Sequence, residues 1–448
     1  MDRSPVSAIL RSLAPFIVCL CLPHALFGWG SPHHYISQAA LDCLPEAQRN
    51  VIESQISPFV GRYCLYPDVA GAKDAAPYIM PKAGLRLHIM DSREKNEEVF
   101  EFYIPRVLKA FQENQIEEGM RWFGALAHYL EDSSCPCHIP FGNTEVPKGA
   151  MPLVHLEFFE RFMPVPERLE EGNFHTRIDA GGFTLNELKA AMEGYRPILL
   201  GTSAAELVFN LGERQYRMNR ECVRHLIPMM MALCHDQRKE FGAEGLQAAT
   251  EGTKLVADTL YSLLMVSFGR ATLDMMPAAV SLADYTPASG TGFTWNRLNY
   301  QGRIMRNASG SFGDAAVPSK LRKVPLKLKL PDGVVKEFAK GFGAGVVTEY
   351  TFLVPPGVFT TFSVDVGSNA DIGSEGIAGF SILLDGKSAA ETGDMAGGEP
   401  AKHLEIVLGQ ARKLTLKTTG QGKSAKIHAV WANPILTFAR APAKRPQD

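Results

Sequence analysis

The run His128-Tyr-Leu-Glu-Asp132-Ser-Ser-Cys-Pro-Cys-His138 gathers two imidazoles and a carboxylate within a few turns of chain. His128 and Asp132 are four residues apart, so a helix carries both on one face. Pro136 ends such a helix and lets the chain turn back, presenting His138 near the same spot. Two imidazoles and a carboxylate make a good ligand set for Zn²⁺. The plainer reading is a buried histidine pair beside a helix-end carboxylate, and the run alone does not separate the two.

Other residues of the same chemistry stand on both sides. Asp68 follows Pro67 in a Tyr-Pro-Asp turn, and His88 closes the short apolar stretch Leu-Arg-Leu-His. His155 lies in LVHLEFFERF with Glu157 and Glu160 close by, and Trp29-Gly-Ser-Pro-His33-His34 lies upstream of all of them. A lone histidine is more often structural than a ligand. Together the order and spacing of these residues favour a metal centre.

The elements that must position them are helical. Met120, Phe123, Ala127 and Leu130 recur at helical spacing, as do Val256, Leu260, Leu263 and Leu264. Thr184 with Glu187, and Ser203 with Glu206, each have the spacing of a capping box. After Met276 the texture changes. Pro277, Pro287, Ser289, Gly290 and Gly292 mark a linker. Beyond it apolar and polar residues alternate: Leu326, Leu328 and Leu330; Phe362, Val364 and Val366; Leu404, Ile406 and Leu408; Leu414 and Leu416. Glycine-rich turns separate these runs, which predicts an all-β sandwich. The predicted architecture is an all-α head followed by an all-β sandwich. Its parts are a signal peptide over 1–28, a helical domain over 29–276, a linker over 277–292, a sandwich over 293–440 and a tail over 441–448.

The signal reading rests on Arg3 and Arg11, the uncharged run Leu13 to Leu22, and small residues near Ala25 and Gly28. It implies a secreted, periplasmic or cell-surface protein whose processed chain begins at Trp29. Six of the eight cysteines then remain, Cys43, Cys64, Cys135, Cys137, Cys222 and Cys234, and disulfides among them are expected to be feasible. Apolar residues make up 46% of the chain and charged residues 21%, which marks a globular rather than a disordered protein. The net charge of −2 supplies no bulk pull toward nucleic acid or anionic membrane, without excluding either. No stable protein partner is expected.

On these residues the head resembles the zinc-dependent phospholipase C and single-strand nuclease superfamily. Members begin their processed chain with Trp, followed by a His, an Asp in a Pro-Asp turn, a His, an H-x3-D-x5-H block, and a final His with a nearby acid. The resemblance covers most of residues 29–270 and implies three zinc ions. Asp68, His88, His128 and Asp132 would hold the first. His138, His155 and an acid would hold the second. The third would take the α-amine and carbonyl of Trp29, His34, and Asp132 as a bridge, with His33 as the adjacent rival to His34. A terminal amine, with a reference pKa of about 8, is readily deprotonated by a metal. The site would then be incomplete until the signal is removed. The family's last acid lies four residues after the final His, where this chain has Phe159; Glu160 is the preferred substitute and Glu157 the other. Asp68 would be the catalytic residue, orienting or deprotonating a metal-bound water. The implied reaction is hydrolysis of a phospholipid or other phosphodiester, closer to phospholipase C than to the nucleases.

The tail resembles the NPCBM family of carbohydrate-binding modules, on KGFGAGVVTEYTFLVPPGVFTTFSVDVG, FSILLDGK, GGEPAKHLEIVLGQARKLTLKTT and HAVWANP. That implies a jelly-roll-like sandwich able to bind polysaccharide. Trp431 and Tyr350 are candidates to stack on a sugar, although the core is the preferred place for Trp431. His428 stands at a family position, but Ile427 replaces the acid that usually precedes it. Asn307-Ala-Ser309 is a formal glycosylation sequon. Two alternatives remain: a single-strand-specific nuclease using the same metals, and a non-catalytic carbohydrate-binding surface protein, which Phe159 favours.

Overall fold

The computed structural model describes residues 29–88, 90, 93–139, 174–290, 304–312, 321–344, 348–373, 376–421 and 428–439. The signal segment, His155, Glu157 and Glu160 lie outside the described residues. The head is helical and the tail is β, as the patterning predicts.

The main head helices are Pro32–Asp42, Arg93–Gln112, Ile116–Asp132, Ala204–Cys222 and Arg238–Ser267. Ile116–Asp132 runs through the centre. Its polar face ends after Trp122, and every residue from Phe123 to Asp132 is buried. The expected stripe Met120, Phe123, Ala127 and Leu130 lies in the head core with Val256, Leu260, Leu263 and Leu264 of the long helix. Thr184 opens Leu185–Ala191 with both halves of the predicted capping box. Ser203 accepts from Glu206 N, but the Glu206 carboxylate takes the backbone N–H of Thr202 instead of Ser203, so the second box is only half formed.

Two glycines allow the close approaches that build the site. A Cβ on Gly124 would come within 2.5 Å of Tyr63 Cβ, so only glycine lets the segment leading to Asp68 lie on the central helix. A Cβ on Gly252 would lie 2.3 Å from Ser134 Oγ, so the long helix passes directly against the turn after Asp132.

The tail is built on two large antiparallel sheets, with two two-stranded sheets beside them. One runs Lys402–Val407, Phe359–Ser368, Ala429–Phe438, Gly341–Ala344, Ile304–Arg306, with Ala279–Ser281 also pairing to Ala429–Phe438. The other runs Lys387–Ala396, Ile377–Leu384, Lys413–Gln421, Thr348–Leu353, Ser289–Gly290. Phe362, Val364, Val366, Leu414 and Leu416 fill the space between them, as period-two alternation requires. Leu326 and Leu328 instead sit in a separate hairpin and form a small outer cluster with Val430 and Ala432.

The expected linker does more than link. Ala279–Ser281 and Ser289–Gly290 pair into the sandwich sheets, and Leu282, Ala283 and Tyr285 enter its core. Pro277 and Pro287 flank these short strands, and Gly290 lies within one of them. The head contributes to that core as well: Phe209, on Ala204–Cys222, packs on Tyr285 and Phe359 with ring centroids 4.8 and 5.3 Å away. Beside it, buried Arg93 donates to Glu213 at 2.8 Å and to the carbonyl of Thr286 at 2.7 Å.

Candidate metal centre

The central helix delivers His128, Glu131 and Asp132 to one buried spot, and four other segments converge on it. Asp132 is the hub. Its Oδ2 lies 3.3 Å from His128 Nε2, 3.1 Å from His88 Nδ1 and 3.5 Å from His138 Nδ1. Its Oδ1 lies 3.3 Å from His33 Nε2 and 3.3 Å from the backbone nitrogen of Trp29. Asp68 closes the group, with Oδ1 3.5 Å from His128 Nε2 and 3.9 Å from His88 Nδ1.

Three of the imidazoles are oriented in the same way. His128 Nδ1 faces the Cys64 carbonyl at 2.8 Å, His33 Nδ1 faces Glu131 Oε2 at 2.6 Å, and His138 Nδ1 faces the His88 carbonyl at 2.5 Å. Each outer partner is an acceptor, which assigns the ring proton to Nδ1 and leaves a lone pair on Nε2. In every case that lone pair then faces a carboxylate oxygen. Two acceptors pointed at each other in a buried space call for a positive charge between them, which a proton or a metal ion supplies. This outer pinning of one ring nitrogen is also what orients metal-ligating histidines.

The polar accounting agrees. His33 Nε2 and Asp68 Oδ1 are buried and have no hydrogen-bond partner, and such atoms need an explanation. The donor atoms of His33, Asp68 and His128 lie within 4.8 Å of one another, as do those of His88, His128 and Asp132. The residues fit metal ions by number, type and spacing.

Charge is arranged to match. Burial would depress His33, but the carboxylates of Asp132 and Glu131 outweigh it and raise the imidazole to about 10. Burial opposes ionisation of Asp132 too, yet His128 and His138 hold its carboxyl well below the usual range. Glu131 is pushed upward by burial, against the pull of His33. The surrounding carboxylates thus favour a positive charge at His33, which a metal cation would supply in place of a proton.

Asp68, His88, His128, Asp132, His138 and the Trp29 backbone nitrogen are thus brought together. His34 is not among them. Its Nδ1 faces the carbonyl of Val60 at 2.5 Å, about 100° around the helix from His33. His33 takes the place expected for His34, and stacks on His128 at 4.1 Å. His155 and Glu160 lie outside the described residues. The Trp29 side chain is itself a core element, with Nε1 donating to Ser134 Oγ at 2.9 Å and the ring edge-on to Phe183.

Residues that spacing did not single out complete the surroundings. Glu131 accepts from Ser37 Oγ at 2.7 Å as well as from His33. Its position beside Asp132 was the available signal. Asp179, Cys135 and Cys137 gather around His138 Nε2. All six described cysteines are unbonded, so the feasible disulfides are not formed here. In the tail, Trp431 and Tyr350 are fully buried, Trp431 donating to Thr418 Oγ1 at 2.9 Å. Neither offers a face to a sugar.

Residues 295–437 match the NPCBM/NEW2 domain. Solved structures similar to this part include a CBM51 from a Clostridium perfringens GH95 protein in complex with methyl-galactose, at 21% identity over 36% of this chain and 99% of that one, TM-score 0.30. Another is CBM51-2 with GlcNAc and INT domains from Clostridium perfringens ZmpB, at 22% identity and TM-score 0.29, covering 36% of this chain and 32% of that longer chain. Over 93% of its length the chain is similar to the alpha toxin of Clostridium absonum, at 11% identity, 99% of that chain and TM-score 0.29. No curated protein matches the chain.

Proposed function

We propose that the chain is an exported zinc-dependent phosphoester hydrolase of the phospholipase C type, with an accessory sugar-binding sandwich. One observation carries this reading: the buried Asp132 carboxylate is shared among Trp29 N, His33, His88, His128 and His138, with the Nε2 atoms of His33 and His128 turned toward it. Asp68, His88, His128 and Asp132 would hold one zinc. Trp29, His33 and Asp132 would hold another. A further one would sit at His138.

Bound zinc would polarise the phosphoryl group and lower the pKa of a water. The protein residues do the positioning. Asp68, whose Oδ1 has no hydrogen-bond partner, would orient the attacking water and accept its proton. Glu131 fixes His33 and Cys64 fixes His128, so the ligand nitrogens are aimed before any substrate arrives. The NPCBM/NEW2 match supports a carbohydrate-binding role for the tail.

The chain beginning at Trp29 should hydrolyse p-nitrophenylphosphorylcholine and phosphatidylcholine when zinc-loaded, and neither after chelation. Preferential cleavage of single-stranded DNA would replace the phospholipase reading with the nuclease one. A fully zinc-loaded chain inert toward all three would refute the hydrolase.

A further inference from the structure

We propose that Cys135, Cys137, His138 and Asp179 form a thiolate-containing metal site, with zinc its fitting occupant. It shares His138 with the cluster around Asp132 and gives the ion placed there two sulfur ligands, and it does not depend on what that cluster hydrolyses. All four residues are buried, and their donor atoms lie within 4.8 Å of one another.

The local chain explains the grouping. Pro136 starts a short 3-10 turn, Pro136–His138, immediately after the central helix. Cys135 N is bonded to the Asp132 carbonyl and His138 N to the Cys135 carbonyl, each at 3.0 Å. This tight turn puts both thiols and the imidazole on one side. Asp179 arrives from the end of the helix Phe174–Asp179, held there through its carbonyl by Gly30 N at 3.0 Å.

The distances suit a tetrahedral ion. Cys135 Sγ and Cys137 Sγ are 3.3 Å apart, and lie 3.5 and 3.3 Å from Asp179 Oδ1. His138 Nε2 is 3.6 Å from the same oxygen. Zinc bonds of about 2.0–2.3 Å in tetrahedral array set ligand atoms about 3.3–3.8 Å apart. The imidazole is prepared for the role, because its Nδ1 is engaged by the His88 carbonyl and its Nε2 lone pair faces a carboxylate oxygen. Two thiols, an imidazole and a carboxylate are a soft, nitrogen- and sulfur-rich set that selects zinc over magnesium or calcium. Binding displaces both thiol protons to solvent and involves no oxidation.

Sulfur makes the test specific, since the ligands proposed around Asp132 offer only oxygen and nitrogen. The full chain, reduced, stripped of metal and titrated with Co²⁺ alone, should develop an intense near-ultraviolet thiolate-to-cobalt band. A Cys135→Ser/Cys137→Ser double variant should lose that band, and Asp179→Asn should keep it with at least a tenfold weaker affinity (about 10-fold or more, as for other perturbed metal shells). The proposal is overturned by a wild-type spectrum without the band, by a band that survives in the double variant, or by a Cys135–Cys137 disulfide in the purified protein. If the double variant does not fold, X-ray absorption at the zinc edge of the wild type decides. Zn–S scattering near about 2.3 Å supports the site and a purely nitrogen and oxygen shell overturns it. Loss of phosphodiesterase activity plays no part in either readout, so failure of the hydrolase reading remains distinguishable.

Discussion

The backbone nitrogen of Trp29 lies 3.3 Å from Asp132 Oδ1 although 103 positions separate them. The Trp29 indole anchors this approach from the other side, bonded to Ser134. Backbone and side chain therefore have separable duties. In a chain that starts at Trp29, a single glycine added before it turns the amine into an amide with no basic lone pair, and should reduce bound zinc and slow hydrolysis at least tenfold, about 1.4 kcal/mol or more. Trp29→Phe with a free terminus should instead keep zinc while losing about 1–3 kcal/mol of stability, from the missing hydrogen bond and the smaller ring. Zinc stoichiometry and thermal melting of the two proteins, side by side, check the ordering. The reverse ordering would remove Trp29 N from the ligand set.

Asp132→Asn should bring hydrolysis to background and lower metal content, because one carboxylate faces five nitrogen donors. An amide is neutral and lacks the charge with which a carboxylate would hold a cation among them. Normal zinc content with retained rate would sink the hub role.

Glu131→Gln tests the outer pinning. The carboxylate holds His33 Nδ1 at 2.6 Å and also takes Ser37. The variant should lose about 10–100-fold in zinc affinity while staying folded. Isothermal titration of metal-free protein with Zn²⁺ measures this. An unchanged affinity would show that His33 needs no such partner.

Chelation should lower the melting temperature of the full chain, and stoichiometric zinc should restore it. Without metal, His33 Nε2 and Asp68 Oδ1 stay buried and unpartnered. At about 100 times its dissociation constant, a ligand specific for the folded state adds about 2.7 kcal/mol. Scanning calorimetry with and without chelator would detect it. Identical melts would argue that the folded chain has no tight metal site.

Phe209→Ala in the full chain should cost about 3–5 kcal/mol, since the ring fills the sandwich core from the head. A chain cut to residues 29–280 should still hydrolyse a small phosphodiester, because all the described donors precede the cut. It should also melt lower than the whole protein, with Phe209 bared. Denaturant unfolding of both proteins is the check. Unchanged stability in Phe209→Ala would mean that head and tail do not share a core.

The order of candidate ligands was readable before the fold was known, because His128 and Asp132 need only helical spacing to meet. The rest depended on which way elements face. His33 and His34 are neighbours about 100° apart on one helix, and only packing against Glu131 decides which turns inward. Asp179 is 41 positions beyond His138 in the numbering, joined to it by tertiary contact alone, so no local spacing pointed to it. Cys135 and Cys137 read as disulfide candidates from the expected export, whereas the turn at Pro136 sets them beside an imidazole and a carboxylate. Alternation gave the sandwich strands correctly at Phe362 to Val366. It could not tell that Trp431 and Tyr350 face inward. Prolines and glycines at 277–292 looked like slack chain, since strand pairing to residues 429–438 and 348–353 is a long-range event.

The joint between head and tail acts as a mortise. Phe209 is the tenon, and the buried Arg93–Glu213 pair pins Thr286 next to it. A tether would let the two halves tumble independently; this joint passes torque. A surface bound by the sandwich would therefore set the heading of the candidate metal centre, aiming the head as well as concentrating it there.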